Sequence, residues 1–149
     1  MAAISVLACE SQPVVVEGLR DVLRNCVDLR FLGAVPDLTR ARPWISRLQP
    51  RLVLTDAAAG IDEVLQFAFD VRRASPDSRI MLWVPELSET DALRALQAGV
   101  RGVVRRKLPV ATFLECLRSV AAGEIWIENS LVNLLSSLSP VEKEMALRA

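Results

Sequence analysis

The chain contains no histidine, which removes Ser-His-Asp and Cys-His catalysis and every imidazole metal ligand. Chemistry must therefore come from carboxylates, thiols or cations, and the segments placed to offer them follow short apolar runs. Cys9-Glu10-Ser11 follows Ile4–Ala8, Asp56 follows Leu52–Thr55, and Arg106-Lys107 follows Gly102–Arg105, while Val84 ends the run Ile80–Val84. An aspartate in Asp56's position caps a turn or acts as a nucleophile. As a hydrolase nucleophile it lacks a paired general base, an acidic metal cluster and a nucleophile elbow. The six glycines form neither a GxGxxG fingerprint nor a phosphate-binding loop. Cys9, Cys26 and Cys116 are odd in number and have no CxxC spacing, so free thiols in a reducing cytoplasm are expected rather than disulfides or zinc. The chain is not expected to be an enzyme.

These residues need a scaffold, and 149 residues at 52% apolar and 24% charged suit one compact α/β domain. Lys and Arg number 18 against 18 Asp and Glu, so the bulk electrostatic attraction to nucleic acid or an anionic membrane is missing. No apolar run approaches the about 18 residues that span a bilayer, so no membrane association is expected. Met1 to Cys9 superficially resembles a lipoprotein cleavage box, but it has no basic start and reads as a first strand.

Apolar runs and amphipathic segments alternate five times. After Ile4–Ala8, Ser11 is placed to cap a helix with Pro13 in its first turn and Val15, Leu19, Val22, Leu23 and Cys26 on one face. Phe31–Val35 is a second strand, and Asp37 is placed to cap the helix holding Trp44, Ile45 and Leu48. Leu52–Thr55 is a third strand. Ile61 to Ala74 is helical, with Val64, Leu65, Phe67, Ala68 and Val71 inward. Ile80–Val84, a helix over Thr90–Ala98 stopped by Gly99, the strand Gly102–Arg105 and a helix over Pro109–Ala122 stopped by Gly123 complete the pattern. Five βα units imply a doubly wound parallel sheet of flavodoxin-like order 2-1-3-4-5, with any site beyond the C-terminal ends of strands one and three.

After Gly123 the pattern changes. Residues 1–124 form the α/β unit, 125–138 a linker with a short helical extension around Asn129–Leu138, and 139–149 begin something else. Ser139-Pro140-Val141-Glu142 is a capping-box signature with only about ten residues of helix behind it, too few to stand alone.

The residues at the strand ends carry a resemblance. The chain resembles a response-regulator receiver domain of the NarL/LuxR type. The segment Glu10-Ser11-Gln12-Pro13-Val14-Val15-Val16-Glu17-Gly18-Leu19 is similar to the family's acidic pair followed by HPLVREGL. Pro50-Arg51-Leu52-Val53-Leu54-Thr55-Asp56 is similar to PDVVLMD, and Ala95-Leu96-Gln97-Ala98-Gly99-Val100-Arg101-Gly102 to ALRAGASG. Leu138-Ser139-Pro140-Val141-Glu142-Lys143-Glu144 resembles LTPRERE, the opening of the LuxR-type helix-turn-helix.

The resemblance implies that Asp56 is the phosphoacceptor of a partner histidine kinase. It implies weak Mg²⁺ binding through Glu10, Asp56 and the Ala58 backbone carbonyl. It also implies departures. Ser11 stands where the second acid of the pair should be, Val84 where a hydroxyl should bond the phosphoryl group, and Val103 where the family has its switch aromatic. Arg106 occupies the lysine position, and Lys107 reaches the site only if the strand ends before it. The expected protein is a cytoplasmic, homodimeric receiver in a phosphorelay controlling transcription. Its phospho-switch is weakened or lost, and it reaches DNA only through a domain missing from this chain. The alternative is a stand-alone pseudo-receiver acting as an interaction or dimerisation module.

Overall fold

The computed structural model describes residues 2–128. In chain order the elements are β1 (Ile4–Cys9), α1 (Pro13–Arg24), β2 (Leu29–Val35), α2 (Leu38–Leu48), β3 (Leu52–Thr55) and α3 (Ile61–Ala74). They continue as β4 (Arg79–Val84), α4 (Glu89–Gln97), β5 (Gly102–Arg105), α5 (Val110–Ala121) and β6 (Trp126–Ile127). All strand pairs are parallel and the sheet order is β2-β1-β3-β4-β5-β6.

The expected order of the first five strands holds, and the sheet is one strand wider. Trp126–Ile127, assigned from sequence to a linker, pairs with β5 through Gly102↔Trp126 and Val103↔Ile127. The cause is geometric. Gly123, at φ +104°, turns the chain at the end of α5, and the right-handed crossover returns it beside the open edge of β5. The helix expected around Asn129–Leu138 and the segment 139–149 lie outside the described residues.

Helices cover both faces of the sheet. On one, Ala41 and Ile45 of α2, Val64, Phe67, Ala68 and Val71 of α3, and Ala92, Ala95 and Leu96 of α4 pack on Leu7, Val53, Leu82, Val84 and Val103. On the other, Leu19 and Leu23 of α1 and Phe113, Cys116, Leu117 and Val120 of α5 pack on Val6, Leu52, Leu54, Met81 and Val104. Strands enclosed on both sides are apolar at nearly every position, as β3 is from Leu52 to Leu54, and all four of its residues are buried. Leu65 is only partly buried, and Trp44 and Leu48 of α2 are 45% and 41% exposed, leaving Ala41 and Ile45 to anchor that helix.

The loops that carry the site follow from local chemistry. Asp37 caps α2 by accepting from the Arg40 amide at 2.8 Å. Ser11 does not cap α1: the helix begins at Pro13 after Gln12, with no side-chain cap. The carboxylate of Glu10 instead orders the turn before the helix, accepting from the Ser11 and Gln12 amides at 3.1 and 3.0 Å. A carboxylate placed just before a helix start is also favoured by the helix dipole.

Candidate functional site

The C-terminal ends of β1, β3, β4 and β5 bring Glu10, Asp56, Val84 and Arg106 to one edge of the sheet. Glu10 directly follows β1, Asp56 follows Thr55 of β3, and Arg106 follows Arg105 of β5, its amide donating to the Val84 carbonyl at 2.8 Å. The two carboxylates meet on one guanidinium. Arg106 Nη2 lies 2.5 Å from Glu10 Oε1 and 3.5 Å from Asp56 Oδ2.

Each oxygen of this pair of acids is engaged. Glu10 Oε1 faces Arg106, and Oε2 accepts from the Ser11 and Gln12 amides. Asp56 Oδ1 accepts from the Ala58 amide at 3.1 Å, and Oδ2 faces Arg106. Exposure separates the two acids: the Glu10 side chain is 4% exposed and that of Asp56 is 30%. Asp56 is therefore the carboxylate that solvent and a reagent can reach.

Arg106 is itself held from three directions. Its Nε donates to the Trp83 carbonyl at 3.1 Å, its Cζ lies 4.6 Å from the centroid of the Trp83 ring, and its Nη2 joins the acids. The Trp83 ring stacks at 5.1 Å on Phe113 of α5. Trp83 is the member of the site that sequence reasoning missed, because it stands inside an apolar strand and looks like core. The available signal was strand alternation, which turns Trp83 away from Val84 and toward α1 and α5.

The remaining expected positions are placed as follows. Val84 and Val103 are each 1% exposed and lie together in the core on the α2–α4 side. Ser11 and Lys107 are exposed. Ala58 presents its amide to Asp56. Cys9, one residue before Glu10, is buried and its thiol is pushed up to about 12, by burial first and then by the Asp56 and Asp37 carboxylates. That thiol stays protonated and is no nucleophile near neutral pH.

No family model matches the chain. Curated relatives do. It is 24% identical over 138 residues, 91% of the chain, to the methanol utilization control regulatory protein MoxX of Paracoccus denitrificans. It is 22% identical over 133 residues, 89% of the chain, to the nitrate/nitrite response regulator protein NarL of Escherichia coli. The chain spans about three fifths of the length of these relatives, 61% and 62%. Among solved structures, a LuxR-family two-component response regulator from Aurantimonas sp. SI85-9A1 superposes with a TM-score of 0.79 at 17% identity, over 91% of this chain and 96% of that one. The isolated REC domain of RcsB from Salmonella enterica serovar Typhimurium in the apo form gives 0.79 at 17% identity, over 90% and 99%. The chain thus has the fold of response-regulator receiver domains and resembles NarL/LuxR-type response regulators in sequence.

That family implies Mg²⁺ beside the phosphoacceptor, and the residues here do not fit it as arranged. One acid of the usual pair is Ser11, and the four carboxylate oxygens that remain are already bonded. Among the described residues no group of three or more Cys, Asp or Glu is placed to hold a metal ion.

Proposed function

We propose that this chain is the receiver module of a NarL/LuxR-type response regulator whose phosphorylation switch is weakened. Asp56 is the acceptor position, facing a cytoplasmic histidine kinase. The module pairs with a second copy, and DNA is contacted through a helix-turn-helix domain that residues 139–149 begin. The observation that carries this reading is the meeting of Glu10, Asp56 and Arg106 at the C-terminal edge of a 2-1-3-4-5 sheet, with valines buried at both switch positions.

The physical deficit is specific. A phosphoryl group adds about −1.5 to −2 charge, and receivers turn that charge into movement through a cation, a hydroxyl and an aromatic that rearranges. Val84 offers no hydrogen bond, which removes about 1.5–3 kcal/mol. Moving a two-state element from 1:99 to 99:1 takes about 5.5 kcal/mol, so one missing contact takes away about a quarter to a half of the drive. Val103 supplies no ring to swing inward.

Beryllium fluoride with Mg²⁺, followed by NMR and sedimentation, tests this reading. Shifts confined to the surroundings of Asp56, or none, are expected. Broad shifts along β4 and β5 with tighter self-association, both abolished by Asp56→Asn, would falsify the weakened switch and restore an ordinary one. The same buried valines favour, as a second reading, a pseudo-receiver that acts through partner binding alone. It differs in needing no DNA-binding domain.

A further inference from the structure

We propose that the Arg106 guanidinium is the resident counter-cation of the Glu10–Asp56 pocket and closes that pocket to divalent metal ions. The inference deepens the receiver reading and rests on it for the expectation that a metal belongs there.

Glu10 is the starting point, a carboxylate 96% removed from solvent by its 4% exposed side chain. A buried charge of this kind persists only with a partner, and Arg106 Nη2 at 2.5 Å is that partner. A divalent ion in the same place would need oxygen ligands in near-octahedral array at about 2.0–2.1 Å. To obtain them it must break the Glu10–Arg106 pair and expel a side chain that is only 19% exposed.

Expulsion is opposed on every side of the guanidinium. Its Nε is bonded to the Trp83 carbonyl, its face lies on the Trp83 ring, and that ring is wedged against Phe113. A lysine in this position would be a flexible point charge able to swing aside for a metal. The planar, pinned guanidinium cannot yield in that way. The balance of formal charge agrees: two carboxylates and one guanidinium leave a single negative charge, too little to draw a divalent ion into a site missing one acid at Ser11.

The test uses the full chain with Mg²⁺ and Mn²⁺ as probes. In the wild type, millimolar Mg²⁺ should leave the melting temperature unchanged, and Mn²⁺ should leave the Ala58 amide and the Trp83 indole resonances unbroadened. Arg106→Gln should lower the melting temperature by about 10 °C, since a buried carboxylate loses its partner. Millimolar Mg²⁺ should recover part of that loss, with Mn²⁺ now broadening both resonances, because a ligand that binds only the folded state stabilises it. Mn²⁺ broadening or a Mg²⁺-dependent rise in melting temperature in the wild type overturns the proposal, as does an Arg106→Gln variant that folds and ignores both metals. The wild-type measurements stand even if the variant does not fold. Metal binding by the wild type would defeat this inference while strengthening the receiver reading, so the two fail separately.

Discussion

At the scale of single residues, the protein hides its thiols and spends its charge at one edge. Cys9 and Cys116 both have thiols pushed up from 9.0 to about 12, burial being the largest cause at each. A group whose pKa is raised on folding contributes stability that is whole below the unfolded value and is lost as pH rises toward the folded one. Arg101 works in the opposite sense and in a later window. Its pKa is lowered to about 10 by burial first, then by Arg72 and Arg79, so its effect raises stability only as pH passes that value. Between pH 9 and 10 the two thiols therefore dominate. Urea midpoints should fall across that interval and stay nearly level in the Cys9→Ala, Cys116→Ala double variant; an equal fall in both proteins would assign the loss to other groups. The acids of the site were legible because each directly follows an apolar run. Arg106 rather than Lys107 was expected at the lysine position, with Lys107 reaching the pocket only if β5 stopped short of it. The strand ends at Arg105, and the turn sends Arg106 into the pocket and Lys107 into solvent.

At the scale of elements, helix ends decide the geometry as much as helix faces do. Gly99 closes α4 at φ +104°, and a Cβ built there would come within 2.0 Å of Arg72 Nη2, which donates to the Ala98 carbonyl at 3.2 Å. Gly99→Ala therefore meets two costs, a left-handed backbone and a displaced guanidinium that ties α3 to α4. A loss of about 1–3 kcal/mol is expected by chemical denaturation, with the metal behaviour of the distant acidic pocket unchanged. A neutral substitution would mean that Arg72 moves aside freely and the φ strain is relieved locally. The strand–helix alternation was readable because its two periodicities differ. β6 was not, because two residues carry no period, and their pairing depends on an edge that only the assembled sheet presents. Ser11 was misassigned because a capping pattern names candidate acceptors, whereas the helix starts at Pro13 after Gln12, one residue past the position Ser11 would cap.

At the scale of the molecule, two surfaces are candidates for pairing with a second copy, α1 with α5, or α4 with β5 and α5. The folded chain distinguishes them. Between α1 and α5 runs an apolar groove of about 310 Å³ lined by Val15, Leu19, Val22, Leu108 and Phe113 together with Trp83 and Arg106. Val14, at the start of α1, is 84% exposed and Val110, at the start of α5, is 55% exposed, whereas α4 buries Ala92, Ala95 and Leu96 and leaves Leu93 only partly exposed. Apolar side chains on the rim of an apolar groove are what an isologous contact uses, and two-fold symmetry repeats each of them across the interface. We therefore expect self-association through α1 and α5. Val14→Glu with Val110→Glu removes four apolar side chains per dimer and puts charge in their place, which costs about 3 kcal/mol or more and weakens the dimer at least about a hundredfold. Sedimentation should show the shift to monomer with the far-ultraviolet spectrum unchanged. Thr90→Arg, exposed on α4, should leave the dimer intact. If Thr90→Arg dissociates it and the valine variant does not, pairing runs through α4 and β5. Because Trp83 and Arg106 also line the α1–α5 groove, a dimer formed there would rest against the acidic pocket through the same ring that holds the guanidinium. Assembly would then be coupled to the charge of that pocket through Trp83, with Val84 and Val103 buried on the opposite face of the sheet.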